Sequence, residues 1–349
     1  MAACIQKGGT LDLDNIGANH GDTKGAPGRV AAPRPQIARD KVNMTRSEML
    51  DRTPVLEVSA LTKSYAAGNW SSRKAITTVH NVDFRIHRGE TFGLIGESGS
   101  GKSTIARMIC MLSDVTSGDV LFNGRNITNL GDKAAFSVRR DMQPIFQDPQ
   151  SSINPRMKVF NYIAEPARIH GLFKSRAELT DHVHGLLQKV GLAPSAAQRF
   201  PHEFSGGQRQ RLSIARALSL NPSFIVADEP ISALDVSIQA QVLNLLIDLK
   251  RELDLTYLFI SHDLRIVRHM CDRMAVLYRG VVVETGETQK IFANPQHAYT
   301  RLLIDSSPIA DPKLERERLA RFNIDGLQDL EVSDEQPLRR IDGDHFARV

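Results

Sequence analysis

The chain has 349 residues, 41% hydrophobic and 24% charged, enough to bury the core of one or two globular domains. Its 44 basic and 40 acidic residues leave a net charge of +4, too mild a bias to mark a nucleic-acid binder. The three cysteines (Cys4, Cys110, Cys271) lie far apart with no C-x-x-C pair, which excludes a disulfide framework or zinc-finger pattern, and no apolar run reaches the length of about 20 residues needed to span a membrane.

Residues 1–52 are rich in Gly, Ala, Pro, Asp and Arg without periodicity, so they are expected to form a flexible extension, and they begin with no basic-then-apolar secretory pattern. Order is expected from Val55, where Val55 to Leu61 alternates as a half-buried strand. Val79 to Ile86 alternates similarly, and His87-Arg88-Gly89-Glu90 turns into an apolar strand, Phe92-Gly93-Leu94-Ile95. A helix-compatible run follows from Thr104 to Leu112, then a strand, Val120-Leu121-Phe122, and a turn at Asn123-Gly124. From about 150 to 217 the character is helical and polar. Phe224-Ile225-Val226-Ala227 and Tyr257-Leu258-Phe259-Ile260 read as buried parallel strands, separated by a helix from Ser237 to Leu253. More helical segments follow Asn294-Pro295, and the charged stretch from Asp311 is expected to be loosely held. Strands alternating with helices predict an α/β fold with a parallel sheet. Cys110, among apolar helix residues, reads as a small core filler.

The strand at Phe92–Ile95 runs straight into Gly96-Glu97-Ser98-Gly99-Ser100-Gly101-Lys102-Ser103, which fills the pattern G-x-x-x-x-G-K-[ST], with Thr104 opening the helix behind it. Glycines let backbone N–H groups turn inward, and the helix start adds its positive dipole end. Lys102 can then reach the β/γ-phosphates of a nucleotide, and the Ser103 hydroxyl can ligate Mg²⁺. A second acidic feature, Asp228-Glu229, follows the Phe224–Ala227 strand, where α/β sheets place ligands. Asp228 is suited to hold Mg²⁺ through water and Glu229 to polarise an attacking water. Upstream, Ser205 can cap the helix beginning near Gln208, with Gly206 and Gly207 leaving that helix end open to an anion. The chain thus carries two candidate phosphate-binding helix ends.

At Ser205-Gly206-Gly207-Gln208 the chain strongly resembles the ATP-binding cassette (ABC) family, over roughly residues 54–308. The resemblance implies a P-loop NTPase (RecA-like) core with a parallel sheet, an antiparallel β subdomain and an inserted helical subdomain at about 150–217, within a nucleotide-binding domain at 53–295. It also implies that two cassettes face each other, the signature of one closing over the γ-phosphate held by the other. In register with the family, Gln147 matches the glutamine loop that senses Mg²⁺ and γ-phosphate, His262 the switch histidine, Ser232-Ala233-Leu234-Asp235 the loop crossing the dimer interface, and Tyr65 the aromatic that stacks on adenine. The implied catalytic set is Glu229, His262, Gln147 and Lys102, and the implied Mg²⁺ set is Ser103, Gln147 and Asp228. Phe204 replaces the commoner Leu before the signature, and Ile231 a small or β-branched polar residue; neither removes a reacting group.

Three further stretches, at Gly96–Gly101, Gln147–Arg156 and Phe292–Thr300, resemble the oligopeptide/dipeptide importer branch, whose C-terminal extension opens here at about 296. Ala298 stands where that branch has proline. No cysteine follows Cys271, so the iron–sulfur cluster of some relatives is not expected. The branch implies a peripheral ATPase on the cytoplasmic face of the membrane, working with permease subunits, a second homologous cassette and, indirectly, an extracytoplasmic solute-binding protein, with Gln147–Arg156 in the docking surface. Related importers of nickel, opines or glutathione share these motifs. A soluble ABC protein of translation or DNA repair is the competing reading, but the chain has one phosphate loop and no heptad run. A P-loop kinase or small-molecule synthetase would leave Ser205–Gln208 without a purpose, and an export cassette would leave the C-terminal motif without one.

Overall fold

Period-two burial builds the first layer. In β1 (Pro54–Ala67) and β2 (Lys74–His87) the buried residues Val58, Val82, Phe84 and Ile86 alternate with exposed neighbours, so the two strands pair antiparallel with one face inward. A computed structural model describes residues 53–67, 74–148, 153–306 and 336–348; the expectations for 1–52, for Pro149–Ser152 and for the stretch from Asp311 to Gln336 fall largely or wholly outside them. β4 (Ser117–Phe122) and β5 (Arg125–Asn126) extend this sheet in the order β2-β1-β4-β5. They are joined by the expected tight turn, with Asn123 at φ 49° and Gly124 at φ 73°, the conformation hairpin turns require.

The second sheet has the order β11-β12-β10-β9-β3-β8-β7-β6. Its centre is parallel: β3 (Thr91–Ile95) lies between β8 (Thr256–Ser261) and β9 (Arg273–Tyr278), and β7 (Phe224–Asp228) lies between β8 and β6 (Met142–Ile145). Both faces of these strands are covered, which explains their unbroken apolar runs. On one face, α1 (Lys102–Ile109) and the antiparallel sheet share a core with Phe92, Leu94, Val226 and Leu258; on the other, α6 (Val236–Leu253) and the helical part pack on Ile95, Ala227 and Phe259. α2 (Asp132–Asp141) leads into β6. The helical part comprises α3 (Val159–Ile169), α4 (Arg176–Lys189) and α5 (Gly206–Leu218), with two 3₁₀ turns between α4 and α5.

After α7 (Leu264–Met270) come β9 and the antiparallel β10 (Val281–Glu287), a hairpin about Arg279-Gly280. α8 (Thr288–Ala293) and α9 (Ala298–Ser306) follow. The end of the chain departs from the expected loose tail: β11 (Arg339–Asp342) and β12 (His345–Ala347) pair antiparallel and add to the edge of β10. The reason is burial: His345, Ala347 and Arg348 are all enclosed there, and His345 Nε2 lies 2.7 Å from the fully buried Glu284 carboxylate. Cys110 and Cys271 are buried, and burial pushes the Cys110 thiol up to about 12, the inert state of a core filler.

Candidate nucleotide site

The C-terminal ends of the parallel strands converge on a cavity of about 880 Å³, the position where open α/β sheets hold ligands. Its floor is the loop between β3 and α1. A Cβ at Gly96 would stand 2.1 Å from the carbonyl oxygen of Leu277, so the loop lies directly on β9. Glu97, Ser98 and Gly99 are exposed to the cavity, and Ser103 and Thr104 line it from the first turn of α1. That helix starts at Gly101 without a side-chain cap, so its terminal N–H groups face the cavity unclaimed by a side chain.

Lys102 is buried and donates from Nζ to the carbonyl oxygens of Gly96 and Glu97, each at 2.7 Å. Burial pushes its ammonium below the ordinary lysine value, against the opposing pull of Glu229, Asp228 and Glu97. Ser103 Oγ donates to Asp228 Oδ1 at 3.1 Å; Asp228 is half-buried at the end of β7, and desolvation raises its carboxyl while the Ser103 bond lowers it.

One residue further, the backbone of Glu229 takes φ 46°, an uncommon left-handed conformation for a glutamate, and its N–H donates to the Ile260 carbonyl of β8. The side chain thereby reaches two others. Gln147 Nε2 donates to Glu229 Oε2 at 2.9 Å, and His262 Nδ1 lies 3.2 Å from Glu229 Oε1. Gln147 follows β6 and His262 follows β8, on either side of β7, so sheet order alone brings this trio together. Ser232 Oγ donates to the Glu229 carbonyl and, with Ala233, lines the same cavity.

Ser205–Gln208 stand elsewhere. Ser205 Oγ accepts from Gln208 N at 3.3 Å and Gln208 Oε1 from Ser205 N at 3.1 Å, a capping box on α5. Ser205, Gly206 and Gln208 are exposed, and a Cβ at Gly207 would meet Ile238 Cγ2 at 2.3 Å, so α5 packs tightly on α6 there. None of the four lines this chain's cavity. Tyr65, exposed on β1 with Lys63 Nζ 5.0 Å from its ring centroid, is not among the lining residues either. Three lining residues carried no sequence signal: Thr78 of β2 and Leu303 and Ser306 of α9.

A family model described as ABC transporter matches residues 79–232, and one described as oligopeptide/dipeptide transporter, C-terminal region, matches 283–327. Over 294 residues the chain is 46% identical to the oligopeptide transport ATP-binding protein OppF of Bacillus subtilis, covering 84% of this chain and 95% of that protein. The chain belongs to the ATP-binding subunits of ABC transporters. This ABC ATPase is also 46% identical to the dipeptide transport ATP-binding protein DppF of Lactococcus lactis, over 86% of its own length and 95% of that protein. Its fold matches the ATP-binding cassette MJ0796, solved as a dimer in a post-hydrolysis state bound to ADP and Pi, with a TM-score of 0.60 and 30% identity over 67% of this chain and 98% of that one. Among the described residues of the ABC ATPase no helix is long and apolar enough to cross a membrane.

Proposed function

We propose that this ABC ATPase binds Mg-ATP on the Gly96–Thr104 loop, hydrolyses it with Glu229 as the water-orienting carboxylate, and drives a permease that imports di- or oligopeptides from the cytoplasmic face of the membrane. The observation that carries this reading is the position of Glu229, held between Gln147 and His262 at the open side of the phosphate loop.

Lys102 is poised to exchange the carbonyls of Gly96 and Glu97 for β- and γ-phosphate oxygens, a charge-assisted contact in a partly desolvated site. The uncapped amides of α1 and the loop receive the remaining phosphate charge. Ser103 Oγ, the Gln147 side-chain carbonyl and Asp228 supply the hard oxygen donors that suit Mg²⁺, and Ser103 already contacts Asp228. Bound there, Mg²⁺ would neutralise phosphate oxygens. Glu229 orients water for in-line attack, with His262 beside it: an O–P bond forms to the γ-phosphorus, the bridging O–P bond breaks, and ADP leaves with the electron pair. Tyr65 offers an exposed ring for the adenine.

The exposed, capped end of α5 does not line the nucleotide cavity of its own chain, and the similar cassette MJ0796 is dimeric, which supports use of this end on the nucleotide of a second cassette. The names of OppF and DppF, oligopeptide and dipeptide transport ATP-binding proteins, support peptide as the cargo; permease subunits, a homologous partner cassette and, indirectly, a solute-binding protein complete the proposed assembly. Nucleic acid and an iron–sulfur cluster have no place in it. A strain deleted for this chain should lose uptake of labelled di- and oligopeptides and recover it with the wild-type chain but not with Glu229→Gln. Undiminished peptide uptake with loss of glutathione, nickel or opine uptake would reassign the cargo; no transport defect at all would refute the importer role.

A further inference from the structure

The phosphate loop is held from behind by the C-terminal segment. Tyr299, in the first turn of α9, is almost wholly buried, and its hydroxyl accepts the backbone N–H of Glu97 at 3.1 Å. The two residues are 202 positions apart in sequence. The ring packs on Tyr278 of β9, with centroids 4.3 Å apart, beneath the point where Gly96 rests on Leu277. We propose that Tyr299 is a positioning residue for the phosphate loop, fixing the Glu97 peptide so that the loop amides already converge before ATP arrives.

Tyr299 is itself fixed at its base. Its backbone N–H donates to His297 Nδ1 at 3.1 Å, which requires that nitrogen to be unprotonated, and burial pushes His297 below the ordinary histidine value. The amides of Gln296 and His297 donate to the buried Glu284 carboxylate at 2.8 and 3.0 Å. Ala298, between the two anchored residues, occupies the exposed first position of α9 and takes no part in this anchoring. The phenol is pushed up to about 12, so the hydroxyl stays neutral at any working pH. On its far side α9 contributes Leu303 and Ser306 to the wall of the nucleotide cavity. A further prop of the loop, Gly280 N donating to the Ser100 carbonyl at 2.9 Å, lies at the opposite end of the turn. The Glu97 carbonyl accepts from Lys102 Nζ at 2.7 Å and from Ser100 N at 3.2 Å, whereas its N–H donates to Tyr299; Lys102 must release that carbonyl to reach a phosphate, so removing the Tyr299 hydroxyl leaves the exposed Glu97–Gly99 arch freer to sample non-binding shapes. A loop competent for only part of the time weakens apparent affinity by that fraction without altering the bound complex.

The proposal rests on this loop holding the nucleotide phosphates, and Tyr299→Phe in the full-length chain tests it, because the ring and its tilted contact with Tyr278 survive. The loss of one backbone hydrogen bond predicts a rise of about three- to tenfold in Kd and KM for ATP. The kcat at saturating ATP should move less than twofold, the Tm without nucleotide should stay put, and the Glu97 amide should exchange hydrogen faster only in the nucleotide-free protein. Unchanged Kd and Glu97 exchange in Tyr299→Phe, with binding lost in Lys102→Ala, would overturn the positioning role and leave the loop's assignment intact. A proportional fall of kcat and Tm would overturn it too, as the mark of a packing role. Wild-type ATP binding in Lys102→Ala would instead refute the phosphate loop itself.

Discussion

The two glycine-flanked helix starts of this molecule differ in how they are finished. α1 begins at Gly101 with no side-chain cap and opens into a cavity that its own chain completes with Glu229, Gln147 and His262. α5 begins at Ser205 with a full capping box and opens to solvent. A glycine at the helix start gives up roughly a few tenths of a kcal/mol against a serine cap, a deficit that a bound triphosphate makes good; a capped start is stable as it stands. In the proposed function, one end is a site that ATP completes and the other a finished part offered to a partner.

The sharpest way to break that comparison is to remove chemistry from the cavity and leave binding. Glu229→Gln should cut turnover by about 10²–10⁴-fold while ATP is still bound, read by phosphate release against equilibrium binding; near-normal hydrolysis would remove Glu229 from the water's path. Ser205→Arg works at the other end: nucleotide binding to the separated chain should stay within twofold, and turnover in the assembled complex should fall by about 10²-fold. If instead the separated chain lost ATP affinity, α5 would belong to the same cavity as α1. Lys102→Ala should weaken ATP by about 10–100-fold, the worth of hydrogen bonds to charged groups, as calorimetric titration would report. Gly207→Ala should cost about 1–3 kcal/mol of stability by forcing a methyl against Ile238, measured by denaturant unfolding; Gly206→Ala, whose methyl would meet only Leu234 Cδ2 at an ordinary 3.6 Å, serves as its control.

The smallest effect is a pH dependence behind the cavity. His297 is held neutral in the fold by burial, below the 6.5 of an ordinary histidine, while the unfolded chain takes up a proton at that value. Its contribution to stability is therefore complete above about pH 6.5 and is lost as pH falls through the lower folded value. His297→Asn, which keeps an acceptor and cannot titrate in this range, should flatten that part of the acid side of a Tm-against-pH curve.

The motifs were legible where backbone geometry is dictated locally. A glycine loop between an apolar strand and a helix, and a Ser-x-x-Gln box before a helix, specify their own conformations within a few residues, and both stand as expected. Glu229 and His262 were legible because each follows an apolar run that reads as a buried strand, whereas Gln147 was legible only through the family resemblance, β6 carrying no strand signal of its own; sheet order does the assembling. The hairpin of β9 and β10 escaped notice although Met274–Tyr278, Arg279-Gly280 and Val281–Val283 spell strand, turn and strand. β11 and β12 had no such signal: four and three residues, two of them arginines, are strand only because β10 offers an edge. The contact of Tyr299 with Glu97 was out of reach for the same reason, being a product of folding between distant segments.

The buried carboxylate of Glu284 sets an order of events for a chain emerging from the ribosome. Its first partners, the amides of Gln296 and His297, are made 12 and 13 residues later, but the imidazole of His345 follows 61 residues on. During the interval β10 is the margin of the sheet, its outer backbone groups still without a neighbouring strand. A nascent cassette can thus shape its phosphate loop early, yet it cannot seal that flank until Ala347 has been synthesised, and a nonsense mutation anywhere in the last stretch would release a protein with an intact nucleotide pocket and an open, adhesive border.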